Sequence, residues 1–176
     1  MRLSELFNVY EIYDTDKELT FTRLDNGDHH AEFQFNNSRL AIRLQPIILP
    51  GVVELKNKKV ADGVFYDTQT TGQQVYSTTN KETANPSGIY GVVFNNLYRK
   101  FMLVYDAITY EAVAHHSHTI KKYDLKIKIY DIVTRKQLTK YPGLYYYRTK
   151  YNTSDVQFLI SKIPIDNTKY ILMMNS

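Results

Sequence analysis

Residues 88–151 constrain this chain more than any other stretch, because their hydrophobic pattern switches period and reads as helix, strand, helix, strand. From Gly88 to Tyr105, Ile89, Val92, Val93, Leu97, Phe101 and Val104 make a broad apolar face against a narrow polar one of Asn95, Asn96, Arg99 and Lys100. So apolar a helix has to be covered on more than one side. Ser87 is placed to cap it and Asp106 to end it. A strand follows over Ala107–His115, then a second helix over about 123–137. That helix puts Leu125, Ile129, Ile132 and Val133 inward and Lys126, Lys128, Arg135 and Lys136 in solvent, with Asp124 and Arg135/Lys136 complementing its dipole. Pro142-Gly143 stops the helical run. The strands Leu144–Tyr151 and Val156–Ile163 form a pair joined by Asn152-Thr153-Ser154-Asp155, and Lys169–Met174 adds an edge strand.

The first half reads as an antiparallel meander over residues 1–66. Leu19–Arg23 and His29–Phe35 flank Asp25-Asn26-Gly27-Asp28, whose residue types tolerate the positive φ of a tight turn. In the return strand Ala31, Phe33 and Phe35 share one face, and Glu32 and Gln34 the other. Arg39–Leu44 alternates in the same way. Pro46 and Pro50-Gly51 are expected to interrupt the sheet, with Ile47-Ile48-Leu49 a buried plug and Val52–Leu55 and Gly63–Tyr66 as further strands. Met1–Tyr13 is equally good material for a short helix capped by Ser4 or for a strand. Residues 67–87 form a long polar loop, a candidate contact segment for substrate or partner.

At 176 residues, with 43% hydrophobic and 14% aromatic content, the chain fits one α+β domain with a mixed, mainly antiparallel central sheet and two main helices, about 88–105 and 123–137. The core of that domain is 88–165. The absence of Cys excludes disulfides, thiolate metal sites and cysteine nucleophiles. The start, Met1-Arg2-Leu3-Ser4-Glu5-Leu6-Phe7, lacks a continuous apolar signal region, and no apolar run approaches the ~20 residues of a membrane span. The expectation is a cytoplasmic protein with no membrane partner.

The net charge of +4 is unevenly spread: residues 1–87 carry 9 Lys/Arg and 12 Asp/Glu, residues 88–176 carry 13 and 6. Twelve of the 16 Tyr also follow residue 87. A basic, tyrosine-rich half suits an anionic partner. As a nucleic-acid surface it would use Lys121, Lys122, Lys126, Lys128, Arg135, Lys136 and Lys140 on phosphates, with Tyr145, Tyr147 or Tyr151 stacking on bases. The same face could instead dock a host or virion protein. His115-His116-Ser117-His118 is the densest ionisable cluster, and His116 and His118 share one side of an extended strand as catalytic candidates. Two histidines fall short of the three or four converging ligands a metal needs, so no metal is expected. A Gly-x-Ser-x-Gly elbow and a phosphate-binding P-loop are both missing.

The order of elements, the Lys128-Ile129-Tyr130-Asp131-Ile132-Val133 run and the turn Tyr141-Pro142-Gly143-Leu144 resemble the C-terminal core of the GNAT acyltransferases over about residues 52–165. Nearly the whole chain is also similar to short bacteriophage proteins, through its first seven residues and its Ile127-Lys128-Ile129-Tyr130-Asp131 helix. The resemblance implies a phage-encoded, acyl-CoA-dependent N-acyltransferase or an inactive derivative, working in the host cytoplasm. Acetyl-CoA or another acyl-CoA would lie where two sheet strands splay apart. Its pyrophosphate would meet the free N–H groups at the start of the first helix, at Ser87, Gly88, Ile89, Tyr90 and Gly91. Tyr130 would protonate the leaving thiolate. The chain departs from the family's Arg/Gln-x-x-Gly-x-Gly loop: it has Asn85-Pro86-Ser87-Gly88-Ile89-Tyr90-Gly91, with a bulky Tyr90 where close backbone approach favours glycine.

Overall fold

The structure, a computed structural model, describes residues 16–35, 38–68, 86–113, 120–149, 155–166 and 169–175. Its strands are β1 (Thr22–Arg23), β2 (His29–Phe35), β3 (Ser38–Ile47), β4 (Val60–Asp67), β5 (Ala107–Val113), β6 (Tyr145–Thr149), β7 (Asp155–Ser161) and β8 (Tyr170–Asn175). The helices are α1 (Pro86–Val104) and α2 (Ile120–Lys140). The strands form one eight-stranded mixed sheet in the order β1-β2-β3-β4-β5-β7-β6-β8, with β4 and β5 parallel and the other pairs antiparallel. The α+β reading holds, and β1 to β4 pair antiparallel in succession.

The first hairpin forms where the turn residues require it. Gly27 has φ +89°, Asn26 Oδ1 accepts the Asp28 N–H at 3.0 Å, and Leu24 N–H reaches Asp28 O at 2.8 Å. Ala31 and Phe33 are buried while Glu32 and Gln34 are exposed, as the alternation predicts. Pro46 does not interrupt the sheet: β3 runs through it, and Pro46 pairs with Ala61. The last β2–β3 rung is His29↔Leu44, so β2 has ended before Pro46 and needs no N–H from it. The segment after it departs from expectation too. Ile48 is 89% exposed rather than a plug, and Val53–Leu55 is a single 3-10 turn rather than a strand.

Both helices are longer than their sequence patterns suggest. Helix α1 begins at Pro86, so Ser87 lies inside its first turn instead of capping it; proline is tolerated there because the first N–H groups have no intrahelical partner. The polar side of α1 is covered. Asn96, almost fully buried, accepts Leu19 N–H at 2.8 Å and donates to Lys17 O at 2.8 Å, which pins the chain entering β1 onto the helix.

Helix α2 turns a different stripe inward. Lys126, Tyr130, Thr134 and Gln137, spaced at four, four and three residues, are all buried, and Ile127, Ile129, Val133 and Leu138 flank them. Lys126 was expected in solvent; it is 4% exposed, because the periodicity carrying Tyr130 into the core carries Lys126 with it.

The two helices run parallel on one face of the sheet. Tyr90 meets Tyr130, Gln137 Nε2 donates to Asn95 Oδ1 at 2.7 Å, and Tyr98 stacks on Tyr141, so positions rise together along both. The main core lies between them and Ile42, Leu44, Ile108, Phe158 and Ile160. Each fully buried side chain of this kind contributes roughly 1.5–3 kcal/mol. On the opposite face, Val52, Leu55 and Ile165 fold over Val60, Ala107, Leu159, Tyr147 and Tyr170 as a second cluster.

Candidate active site

β4 and β5 pair over three rungs, Val60↔Ala107, Ala61↔Ile108 and Asp62↔Thr109, and then part. Beyond Asp62, β4 stays with β3 as far as Asp67, and β5 stays with β7 as far as Val113. The sheet therefore opens between them. Gly63, the first residue past the last rung, faces Leu97 of α1 so closely that an added Cβ would lie 2.8 Å from Leu97 Cδ1. The missing Cβ at Gly63 leaves room for the Leu97 side chain.

On the helix side, aromatic rings fill the gap. Phe65 of β4 lies 5.9 Å from Tyr90 and 6.3 Å from Tyr130, and Tyr130 is also 5.6 Å from Phe94 and 5.6 Å from Phe158. Edge-to-face contacts dominate, the arrangement ring quadrupoles favour. A directed hydrogen-bond chain runs through this layer. Thr134 Oγ1 donates to Tyr130 O at 2.6 Å, so its hydroxyl proton is committed. Tyr110 must then donate to Thr134 at 2.5 Å, and Tyr98 to Tyr110 at 2.8 Å. Burial pushes the Tyr130, Tyr110 and Tyr98 phenols well above their ordinary range, so all three stay protonated.

The opposite side of the opening is polar. Asp62 accepts a hydrogen bond from Thr109 Oγ1 at 2.8 Å. Burial raises its pKa to about 6, the Thr109 hydrogen bond acts against that rise, and the Glu111 charge adds to it. Glu111 accepts from Gln157 Nε2 at 3.2 Å, and Gln157 Oε1 in turn accepts from the Tyr170 hydroxyl. A carboxylate that exchanges its proton near neutrality, held by a neighbouring hydroxyl where two strands separate, has the properties of a general base. Sequence reasoning missed Asp62 because the strand was drawn from Gly63. A lone acid before glycine inside Val60-Ala61-Asp62-Gly63-Val64-Phe65 was the available signal.

The structure brings some of the sequence candidates together. Tyr130, Tyr90 and the first turns of α1 meet in the aromatic layer, with Gly88, Ile89 and Tyr90 buried and Gly91 half-buried. Tyr130 is 1% exposed. His116 and His118, most of the 67–87 loop and Tyr151 lie outside the described residues, as do the side chains of Ser87, Lys121 and Lys122.

The basic set on α2 does not form one free face. Lys126 is buried, Arg135 Nε is bound to Asp131 Oδ2 at 2.9 Å, and Lys140 donates to Asn95 Oδ1 at 2.9 Å, while Lys128 and Lys136 are exposed. Tyr147 is buried, its hydroxyl accepting Ile165 N–H at 2.7 Å, and is not available to stack on a base. A cavity of about 610 Å³ in the β3–β4 connection is lined by Ile47, Leu49, Val52 and neighbours within 47–58, with no carboxylate or histidine among them.

Among the described residues, no helix is long and apolar enough to cross a membrane. No family model matches the sequence, and no match to it was found among curated proteins or solved structures.

Proposed function

We propose that this chain is a GNAT-like acyltransferase domain that moves an acyl group from an acyl-CoA to an amine, with Asp62 as the base that accepts the amine's proton. The observation carrying this reading is the β4–β5 pair: parallel for three rungs, then open, with a carboxylate that titrates near pH 6 on the last rung. A thioester extended into such an opening has the Asp62 side of the sheet before it and Tyr130 behind it.

The amine must lose a proton as the new C–N bond forms, and Asp62 above pH 6 can take it. The leaving thiolate takes up a proton from solvent or the one Asp62 has accepted, because burial raises the Tyr130 phenol well above its ordinary range and makes it a weak acid.

Thermal denaturation with acetyl-CoA tests the reading. At a ligand concentration about 100 times Kd, binding adds roughly 2.7 kcal/mol of stability and raises Tm by about 5–10 °C for a chain of this size. An unchanged Tm at millimolar acetyl-CoA sinks the proposal.

A further inference from the structure

Lys126 is a buried amine beside the aromatic layer that the reaction above leaves without a task. It is 4% exposed, its Nζ lies 5.7 Å from the centre of the Tyr130 ring, and among the described residues no hydrogen bond or ion pair holds its ammonium. Lysine side chains are seldom buried to this extent. The ionisable groups around the Tyr130 ring are Tyr90 from α1 and Tyr110 from β5, and neither is a carboxylate that could compensate a positive charge.

We propose that Lys126 is a self-acylation site: its neutral amine takes the acyl group of a small thioester that enters the opening between β4 and β5. The inference rests on the acyltransferase reading for where the thioester lies. The chemistry follows from the environment. Burial brings the Lys126 pKa down to about 8, so a substantial share of the amine carries a free lone pair near neutral pH, whereas an exposed lysine is almost wholly protonated. The Nζ lone pair attacks the thioester carbonyl carbon, the C–N bond forms and the C–S bond breaks. The proton lost from nitrogen goes to the leaving thiolate, directly or through water. One amine and one thioester become one amide and one thiol, with no change in oxidation state. The amide is uncharged and suits the apolar site better than an ammonium does, so the product is held.

The test uses the intact chain at pH 7.5 with two donors, acetyl-CoA and the nucleotide-free thioester S-acetyl-N-acetylcysteamine, followed by peptide mass spectrometry. Lys126 is expected to acylate about tenfold or more faster than the exposed Lys128 and Lys136, at a rate that climbs with pH and levels off above about 8. Selective labelling by the small thioester alone, with no acetyl-CoA binding, upholds Lys126 as the nucleophile and removes the CoA reading. A Tm rise with acetyl-CoA while Lys126 stays unmodified by both donors overturns the self-acylation proposal and leaves that reading standing. Labelling spread evenly over the exposed lysines also overturns it.

Discussion

Asp62 and Thr109 face each other across the last rung of the β4–β5 pair, and the 2.8 Å hydrogen bond from Thr109 Oγ1 ties the carboxylate to the strand from which β4 is about to separate. One residue further, the missing Cβ at Gly63 leaves room for the Leu97 side chain of α1. The opening and the ionisable group at its edge are thus set by three features of the sequence: an acid, the glycine after it, and a helix carrying Leu97 at the matching height.

Replacing Asp62 with Asn separates chemistry from stability. Because the folded-state pKa is raised, to about 6 from 3.8, the folded chain binds more protons than the unfolded one between those values, and stability falls as pH rises through that window. Above it, ionised Asp62 costs about 2–3 kcal/mol. Asp62→Asn keeps the acceptor for Thr109 and removes the charge, so its Tm should exceed that of the parent at pH 7.5 and match it near pH 3.5, read by thermal denaturation at both pH values.

Lys126 supplies the complementary case. Its lowered pKa means that the unfolded chain binds the extra proton between about 8 and 10.5, so this group's contribution to stability rises with pH across that window and is least favourable below it. Lys126→Met should stabilise the fold by about 3 kcal/mol at pH 7, with the advantage shrinking towards pH 10.5. Urea unfolding of both proteins across that range checks the sign.

Gly63→Ala places a methyl 2.8 Å from Leu97 Cδ1 and should destabilise by about 1–3 kcal/mol, since Leu97 is itself buried and has little room to move. Combining it with Leu97→Ala should cost less than the sum of the two single changes. A double-mutant cycle by chemical denaturation measures that coupling.

The hydroxyl chain Tyr98 to Tyr110 to Thr134 to Tyr130 O has a direction, and this ranks its members. Tyr98→Phe removes a donor from Tyr110 and should cost about 1 kcal/mol. Tyr110→Phe leaves the buried Tyr98 hydroxyl without its acceptor and Thr134 without its donor, and should cost about 2–3 kcal/mol. Equal losses in equilibrium unfolding would contradict the direction assigned here.

Local signals gave the parts of the fold that local chemistry decides. Asp25-Asn26-Gly27-Asp28 specifies its turn by itself, and the alternation in β2 places Ala31 and Phe33 without reference to the rest of the chain. Pro46 was misread because its tolerance depends on where β2 ends, a fact of pairing rather than of residue type. Lys126 was misread because charge is a good guide to solvent on average, but the stripe through Tyr130, Thr134 and Gln137 is set by helix rotation against Phe65 and Phe158. The site was the least legible part: Asp62 acquires its character from burial against β5, a strand more than forty residues away in sequence.

The central claim, that the β4–β5 opening performs acyl transfer with Asp62 as base, is tested most directly by thiol release from acetyl-CoA in the presence of an amine acceptor such as spermidine or a lysine-rich peptide. The chain has no cysteine, so a thiol reagent reads CoA without background from the protein. The account predicts a rate that climbs through an apparent pKa near 6 in the parent chain and falls about 100-fold or more in Asp62→Asn. Equal rates and superimposable pH profiles for the two proteins, or no thiol release by the parent, would contradict it.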